Sequence, residues 1–357
     1  MSRARDFADL ASTSSVSSLS SRNLIINGAM QVAARGTSSS SGNGFAVDRF
    51  TNPVSQSSKL TVQQNAGSVT PPAGFQYYYG MTSSSAYTPI STDYFYVGQN
   101  IEGYNVAHLD WGTANAKTVT LSFWVRSSLT GTFGGSIQNS AQNRSYPFSY
   151  AISSANTWEY KTVTIAGDTT GTWLKTNGKG AVLWFSVGAG SNNQGTAGAW
   201  AAANYASVTG AVDVVGTNGA TWYITGVQLE VGSATPFEHR SYGDELARCQ
   251  RYYYRTPTGR TYQRQCVLTG RSSTASDGIF ILPVSMRSQP TFSKSGTMSV
   301  EGNTTKSISS ISLSTNASST DRVRLSVVSD SGLTAGYSYY IFNVNDASAY
   351  LDFDAEL

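Results

Sequence analysis

The chain has 357 residues, long enough for two domains that each bury a core, and only 13 % of them are charged, about half of the ~25 % usual in globular proteins. Its 24 Lys and Arg against 21 Asp and Glu leave a net charge of +3, too small for the basic stripe of a nucleic-acid binder. Two cysteines, Cys249 and Cys266, make no disulfide framework, and no apolar run approaches the ~20 residues that span a bilayer.

A chain poor in Lys and Glu but rich in Thr, Tyr, Val and Trp builds helices badly and pleated sheets well. All-β is therefore the expected class. Residues 3–11 (RARDFADLA) allow two helical turns with Phe7 and Leu10 on one side, and residues 12–21 (STSSVSSLSS) are low-complexity. Residues 23–32 (NLIINGAMQV) and 45–52 read as the first two strands, and 59–64 (KLTVQQ) alternates cleanly as another. An aromatic strand is expected in 71–79 (PPAGFQYYY). Further strands fall at 93–101 (DYFYVGQNI), 118–125 (TVTLSFWV), 148–152, 158–165, 181–187 (AVLWFSV) and 220–231. Turn signals at Gly131, Gly134–Gly135, Asn156 and Asn177–Gly178 separate them. Residues 188–211 read as a long loop.

Many short strands at fairly regular spacing point to a two-sheet sandwich or jelly roll. After the strand 220–231 the chain crosses a turn at Pro236 and enters a short helix near Asp244 (ELARCQRYYYR). A second β region follows, with strands expected at 265–269, 278–283, 297–301, 307–313, 322–328, 338–345 and 349–357.

The run LEVGSATPFEHRSYGDELARCQRYY at 229–253 resembles the segment that closes the carbohydrate-module-like domain of many bacteriophage tail fibre and receptor-binding proteins. The opening NLIINGAMQVAARG at 23–36, the strand Val47-Asp48-Arg49-Phe50 and FILPVSMRSQPTF at 280–292 are similar to other pieces of those proteins. Phe50 stands where Trp is common. The resemblance implies a virion-attachment peptide at 1–22 (Arg3, Arg5, Phe7, Leu10), a jelly roll at 23–243 and a smaller β-sandwich at 244–357. It implies a homotrimer in the phage tail or surface fibre, bound to other virion proteins through its N-terminus and to host surface polysaccharide. An N-terminus without the apolar stretch of a secretory signal agrees with release by lysis. Neither nucleic acid nor membrane insertion is expected.

The chemistry points to sticking rather than reacting. The two histidines, His108 and His239, accompany no nucleophile-elbow pattern, and nothing in the spacing pairs Asp93, Glu102, Asp110, Glu159 or Asp168 as a glycosidase needs. No His/Cys cluster has zinc spacing and no cofactor is expected. The resemblance leaves a structural calcium open, with Asn27, Asp48 and Glu230 as the residues that would meet it. Aromatic rings stack on the C–H faces of sugars while amides bond their hydroxyls. On that ground Trp111, Tyr146, Trp173, Trp200 and Tyr205, all in loop-like settings, are the carbohydrate-binding candidates, whereas Trp124, Trp184 and Trp222 read as packing. Arg248, Arg251 and Arg255 interleave with Tyr252, Tyr253 and Tyr254. Arg stacks on rings and forks onto carboxylates, so this run reads as an oligomer or interdomain interface. A structural virion protein without a receptor and a polysaccharide-degrading tailspike are the alternatives.

Overall fold

The computed structural model describes residues 22–39 and 44–357. The chain divides into two compact units, one ending at Ser241 and the other being Tyr242–Leu357. The expected anchor residues Arg3, Arg5, Phe7 and Leu10 lie outside the described residues.

The first unit is built from β1 (Ser38–Ser39), β2 (Leu60–Gln64), β3 (Tyr79–Ser83), β4 (Tyr94–Glu102), β5 (Val119–Ser127) and β6 (Gly131–Asn139). It continues with β7 (Ser145–Ile152), β8 (Glu159–Ile165), β9 (Lys179–Ala189), β10 (Gln194–Gly195), β11 (Ser207–Val208) and β12 (Thr221–Val231). Two antiparallel sheets result: a six-stranded one in the order β1-β2-β3-β12-β5-β8 and a four-stranded one in the order β4-β9-β6-β7. Their inner faces share one apolar core in which Phe123, Phe185, Trp222 and Tyr150 interlock. The unit is a jelly-roll sandwich, as alternation and turn spacing led one to expect.

Three expected strands are corrected. Residues 23–32 form a turn-rich segment, with Asn27 and Met30 at φ of 61° and 59°. The Asn23 side chain does the pairing there, accepting from the Ile25 and Leu229 N–H groups and donating to Val227 O. Residues 45–52 contribute only single bridges, because Arg49 turns to positive φ between Val47 and Phe50. In 71–79 only Tyr79 enters a strand. Conversely β6, whose glycines look like turn residues, is a full central strand. A side chain at Gly135 would meet the Trp184 carbonyl and the Phe148 ring, so only glycine fits. Residues 188–211 also hold the parallel pair β10–β11.

The second unit opens with the helix Tyr242–Gln250, whose first turn carries Asp244 and Glu245 and whose last carries Arg248, the arrangement the helix dipole favours. Its strands are β13 (Tyr253–Arg255), β14 (Arg264–Gly270), β15 (Ala275–Ile281), β16 (Thr291–Ser295), β17 (Met298–Glu301), β18 (Thr305–Leu313), β19 (Arg322–Ser329), β20 (Ser338–Asn343) and β21 (Tyr350–Asp354). The unit is all-β as expected, and the finer arrangement is a closed ring. Strands β14-β15-β19-β18-β17-β20 form a barrel, and β13-β21-β16 form a separate small sheet. Closure removes the free edges that an open sheet leaves exposed.

Candidate functional site

Four of the five aromatics singled out by sequence come together, but as packing. Trp111, Trp173 and Tyr146 are buried and Trp200 is half-buried. Their rings meet edge to face: Trp111 and Trp173 have centroids 4.7 Å apart at 74°, and Trp173 and Trp200 lie 5.5 Å apart at 81°. Tyr146 abuts Trp200 at 5.3 Å. Each indole N–H is already satisfied, by Lys117 O, Asp168 Oδ2 and Ala166 O respectively for Trp111, Trp173 and Trp200. Buried Asp168 also holds Arg144, whose Nε donates to Oδ2 at 3.0 Å. Burial works against its ionised form, yet the bonds from Arg144, Trp173 and Thr170 hold its carboxyl below the usual range. This corrects the expectation of open sugar platforms: buried rings joined edge to face leave no flat surface for a pyranose. Tyr205 stands apart from the cluster, half-buried, with its ring over Gly195.

A second aromatic group lies on the outer face of the four-stranded sheet, with Tyr94 exposed and Tyr96 and Trp184 buried. In β4, Phe95 and Val97 face the core while Tyr94 and Tyr96 face outward. Trp184 on β9 shares that face, because it pairs with Gly98. Tyr94 and Tyr96 stack with centroids 5.6 Å apart at 28°, and Tyr96 continues to Trp184 at 6.1 Å and 32°. The three rings form a stepped row, tilted 28° and then 32° from one ring to the next. A side chain at Gly98 would run into the Leu183 carbonyl and the Trp184 ring. Glycine at that position is what lets the indole lie across β4.

Beside this row is a cavity of about 320 Å³. Its floor is Tyr96 and Trp184, and Tyr94 is its open end. Four amides ring it: Gln138 from β6, Gln142 from the β6–β7 turn, and Asn193 and Asn204 from residues 190–206. That segment is tied down by Asn193 Nδ2 to Asp93 O (3.0 Å), by Gln194 Nε2 to Ala189 O (2.6 Å) and by Ser145 Oγ to Ala203 O (2.7 Å). Pro53, Thr92 and Ala206 complete the lining, which contains no ionisable group other than its tyrosines. Flat apolar rings with amides at the rim are the chemistry that fits a sugar.

One buried carboxylate fixes the rim. Asp93, between Thr92 and Tyr94, accepts from Tyr87 Oη (2.6 Å), Ser55 Oγ (2.8 Å) and the Ile90 N–H (2.9 Å), and Ser55 Oγ in turn accepts from the Tyr94 N–H. Burial opposes its charge, but these bonds prevail and hold the carboxyl at about 2. The sequence reading missed Tyr94, Tyr96 and Gln138 and assigned Trp184 to packing. The sequence carried only a partial signal: polar-tipped rings alternate with Phe95 and Val97 along β4, which pairs the tyrosines on one face without saying which face stays open.

The remaining candidates are engaged elsewhere. Tyr252 and Tyr253 are buried in the chain, β13 pairs with β21, and Tyr254 stacks on Phe353 at 6.2 Å. Arg255 forks onto Asp352 at 2.8 and 2.9 Å and lies 3.6 Å over the Tyr350 ring. Arg251 Nη1 reaches Ser285 O, and Arg248 closes the helix. Tyr252, Tyr253, Tyr254 and Arg255 of the expected oligomer or interdomain interface thus make these contacts within the second unit. The calcium trio does not converge either. Asn27 Nδ2 donates to Val32 O and Asp48 O, whereas Glu230 accepts from Gln228 Nε2 and from the N–H and Oγ1 of Thr235. Among the described residues no three His, Cys, Asp or Glu are grouped to hold a metal ion.

No family model matches the chain, and no curated protein matches it. Among solved structures it is similar to the enzymatically active domain of bacteriophage CBA120 tailspike protein 4, with 13 % identity and a TM-score of 0.33. That match covers 59 % of this chain and 22 % of the tailspike. It is also similar to a CBM4 structure (13 % identity, TM-score 0.31, 58 % of this chain and 98 % of the other). A third is TmCBM61 in complex with β-1,4-galactotriose (11 % identity, TM-score 0.30, 59 % and 99 %). These likenesses are distant and concern the fold.

Proposed function

We propose that this protein is a glycan-binding adhesin of a bacteriophage virion, and that the Tyr94–Tyr96–Trp184 face is where it meets the glycan. One observation carries the reading: a stepped row of three rings on one sheet face, bordered by a cavity with four amides in its lining. The virion setting is supported by the segments 23–36, 229–253 and 280–292 that resemble phage tail fibre proteins. Self-association, as a homotrimer, gives weak shallow sites their strength through multivalency. The exposed Val267, Ile279 and Ile281 on the second unit offer apolar surface for it.

The test is an array of bacterial surface polysaccharides probed with the full chain, alongside Tyr94→Ala. Binding to at least one glycan, lost in the variant while the thermal transition is kept, is the expected result. Binding unaffected by Tyr94→Ala would move the site elsewhere. Release of reducing ends from the bound glycan would replace adhesion by cleavage. Sedimentation velocity of the same sample reads the trimer directly, and a monomer at micromolar concentration overturns that part.

A further inference from the structure

Gln138 sits in the cavity wall with its side chain fully buried. Its Nε2 donates to two acceptors of residues 190–206, Asn204 Oδ1 at 3.0 Å and Tyr205 O at 2.8 Å. The Tyr205 carbonyl settles which way round the amide lies, because a flipped amide would set oxygen against oxygen. Oε1 is therefore the free end, and it has no hydrogen-bond partner. Buried unpaired acceptors are rare in folded proteins, and each calls for an explanation. Two hydroxyls on the same sheet face are in the same condition: Tyr96 Oη and Ser136 Oγ are buried and unpartnered. Ser136 pairs with Trp184 in the β6–β9 register, two residues from Gln138.

We infer that the cavity takes an uncharged saccharide unit and that Gln138 selects it by accepting a hydrogen bond from a sugar hydroxyl. The inference rests on the glycan-site reading above and specifies its ligand. A hydroxyl supplies the donor that Oε1 lacks, and the same hydroxyl or its neighbour accepts from Tyr96. Burial raises the pKa of the Tyr96 phenol, so it keeps its proton at neutral pH and remains a donor. Acidic sugars are excluded by the lining. No Lys, Arg or His borders the cavity, so a carboxylate would lose its water without gaining a cation. Gln138 also joins recognition to the loop: the amide that reads the ligand is the one that holds Asn204 and Tyr205 in place.

The experiment titrates the full chain with matched pairs, methyl β-D-glucopyranoside and methyl β-D-galactopyranoside against their uronate counterparts, following the Trp184 indole signal by NMR. The neutral member of at least one pair should bind at least about tenfold more tightly than its uronate. A monodeoxy series of the better ligand should show one position whose loss costs roughly ten- to hundredfold, the range for leaving a buried acceptor unpaired. Gln138→Leu should then bind the parent and that deoxy analogue alike. Uronates binding as well as neutral sugars, or a deoxy series that is flat throughout, overturns the inference and leaves the glycan site standing. If none of the four glycosides, nor the array glycans, moves the Trp184 signal, the site reading falls and this inference with it. The deoxy series uses the unaltered protein, so the outcome does not depend on the variant folding.

Discussion

Two aromatic groups in the first unit are both largely buried and differ in how their rings meet. Trp111, Trp173, Trp200 and Tyr146 meet edge to face, with every indole N–H bonded internally. Tyr94, Tyr96 and Trp184 form a stepped row and end in the exposed ring of Tyr94. Both groups lean on one buried carboxylate, Asp168 for the first and Asp93 for the second. Ring orientation therefore separates the two groups here, where residue type and burial do not. Edge-to-face pairs use up their faces on each other, while a stepped row leaves its last face for a ligand.

The contrast breaks most visibly at Trp173. Trp173→Ala should cost about 3–5 kcal/mol of stability, the usual loss for deleting a large buried ring, read from denaturant midpoints. A loss below about 1 kcal/mol would mean the cluster is not structural. Gly98→Ala comes next, at about 1–3 kcal/mol for forcing an atom against the Leu183 carbonyl. It should also shift the Trp184 indole signal, since that ring lies over the glycine. An unshifted indole would contradict the role given to Gly98.

Acid sharpens the comparison at the rim. Asp93 titrates at about 2 in the fold against about 3.9 unfolded. A depressed folded pKa means its stabilisation is fully present above about pH 4 and is lost as pH falls towards 2. Asp93→Asn should flatten that part of the pH–stability curve relative to wild type. Identical slopes between pH 4 and 2 would show that the carboxylate does not anchor the turn. The smallest stability effect belongs to Tyr94→Ala, about 1 kcal/mol, because the ring already keeps a third of its surface in water. Its loss of glycan binding makes it the counterpart of Trp173.

Strands with one solvated face were readable: β2, β5 and β8 appear almost where the alternation of KLTVQQ, TVTLSFWV and WEYKTVTI puts them. β6 was not, because Gly131, Gly134 and Gly135 mimic turns until the close neighbours that require them are known: Val212 for Gly131, Ser207 and Val208 for Gly134, and Phe148 and Trp184 for Gly135. Residues 23–32 failed the other way, since an Asn23 side chain standing in for ladder bonds leaves no trace in periodicity. The site was half legible. Tyr94, Tyr96 and Trp184 were placed on the right strands, but Tyr-Phe-Tyr-Val is apolar on both sides, so pattern alone cannot say which side stays open. Gln138 carried no signal, because its meaning comes from Asn204 and Tyr205, far along the chain.

The ring of the second unit bears on how the protein is made. It shuts where β14 pairs with β20, and β13 waits for β21 in the same way. β14 pairs with β15 at once but gains its second neighbour, as β13 gains β21, only once the later strands exist, and such distant pairings form slowly. During synthesis the edge of β14 that takes β20 has to remain unzipped until β20 has left the ribosome. Truncation by even the final two strands should leave that half unable to mature, whatever happens to the sandwich before it.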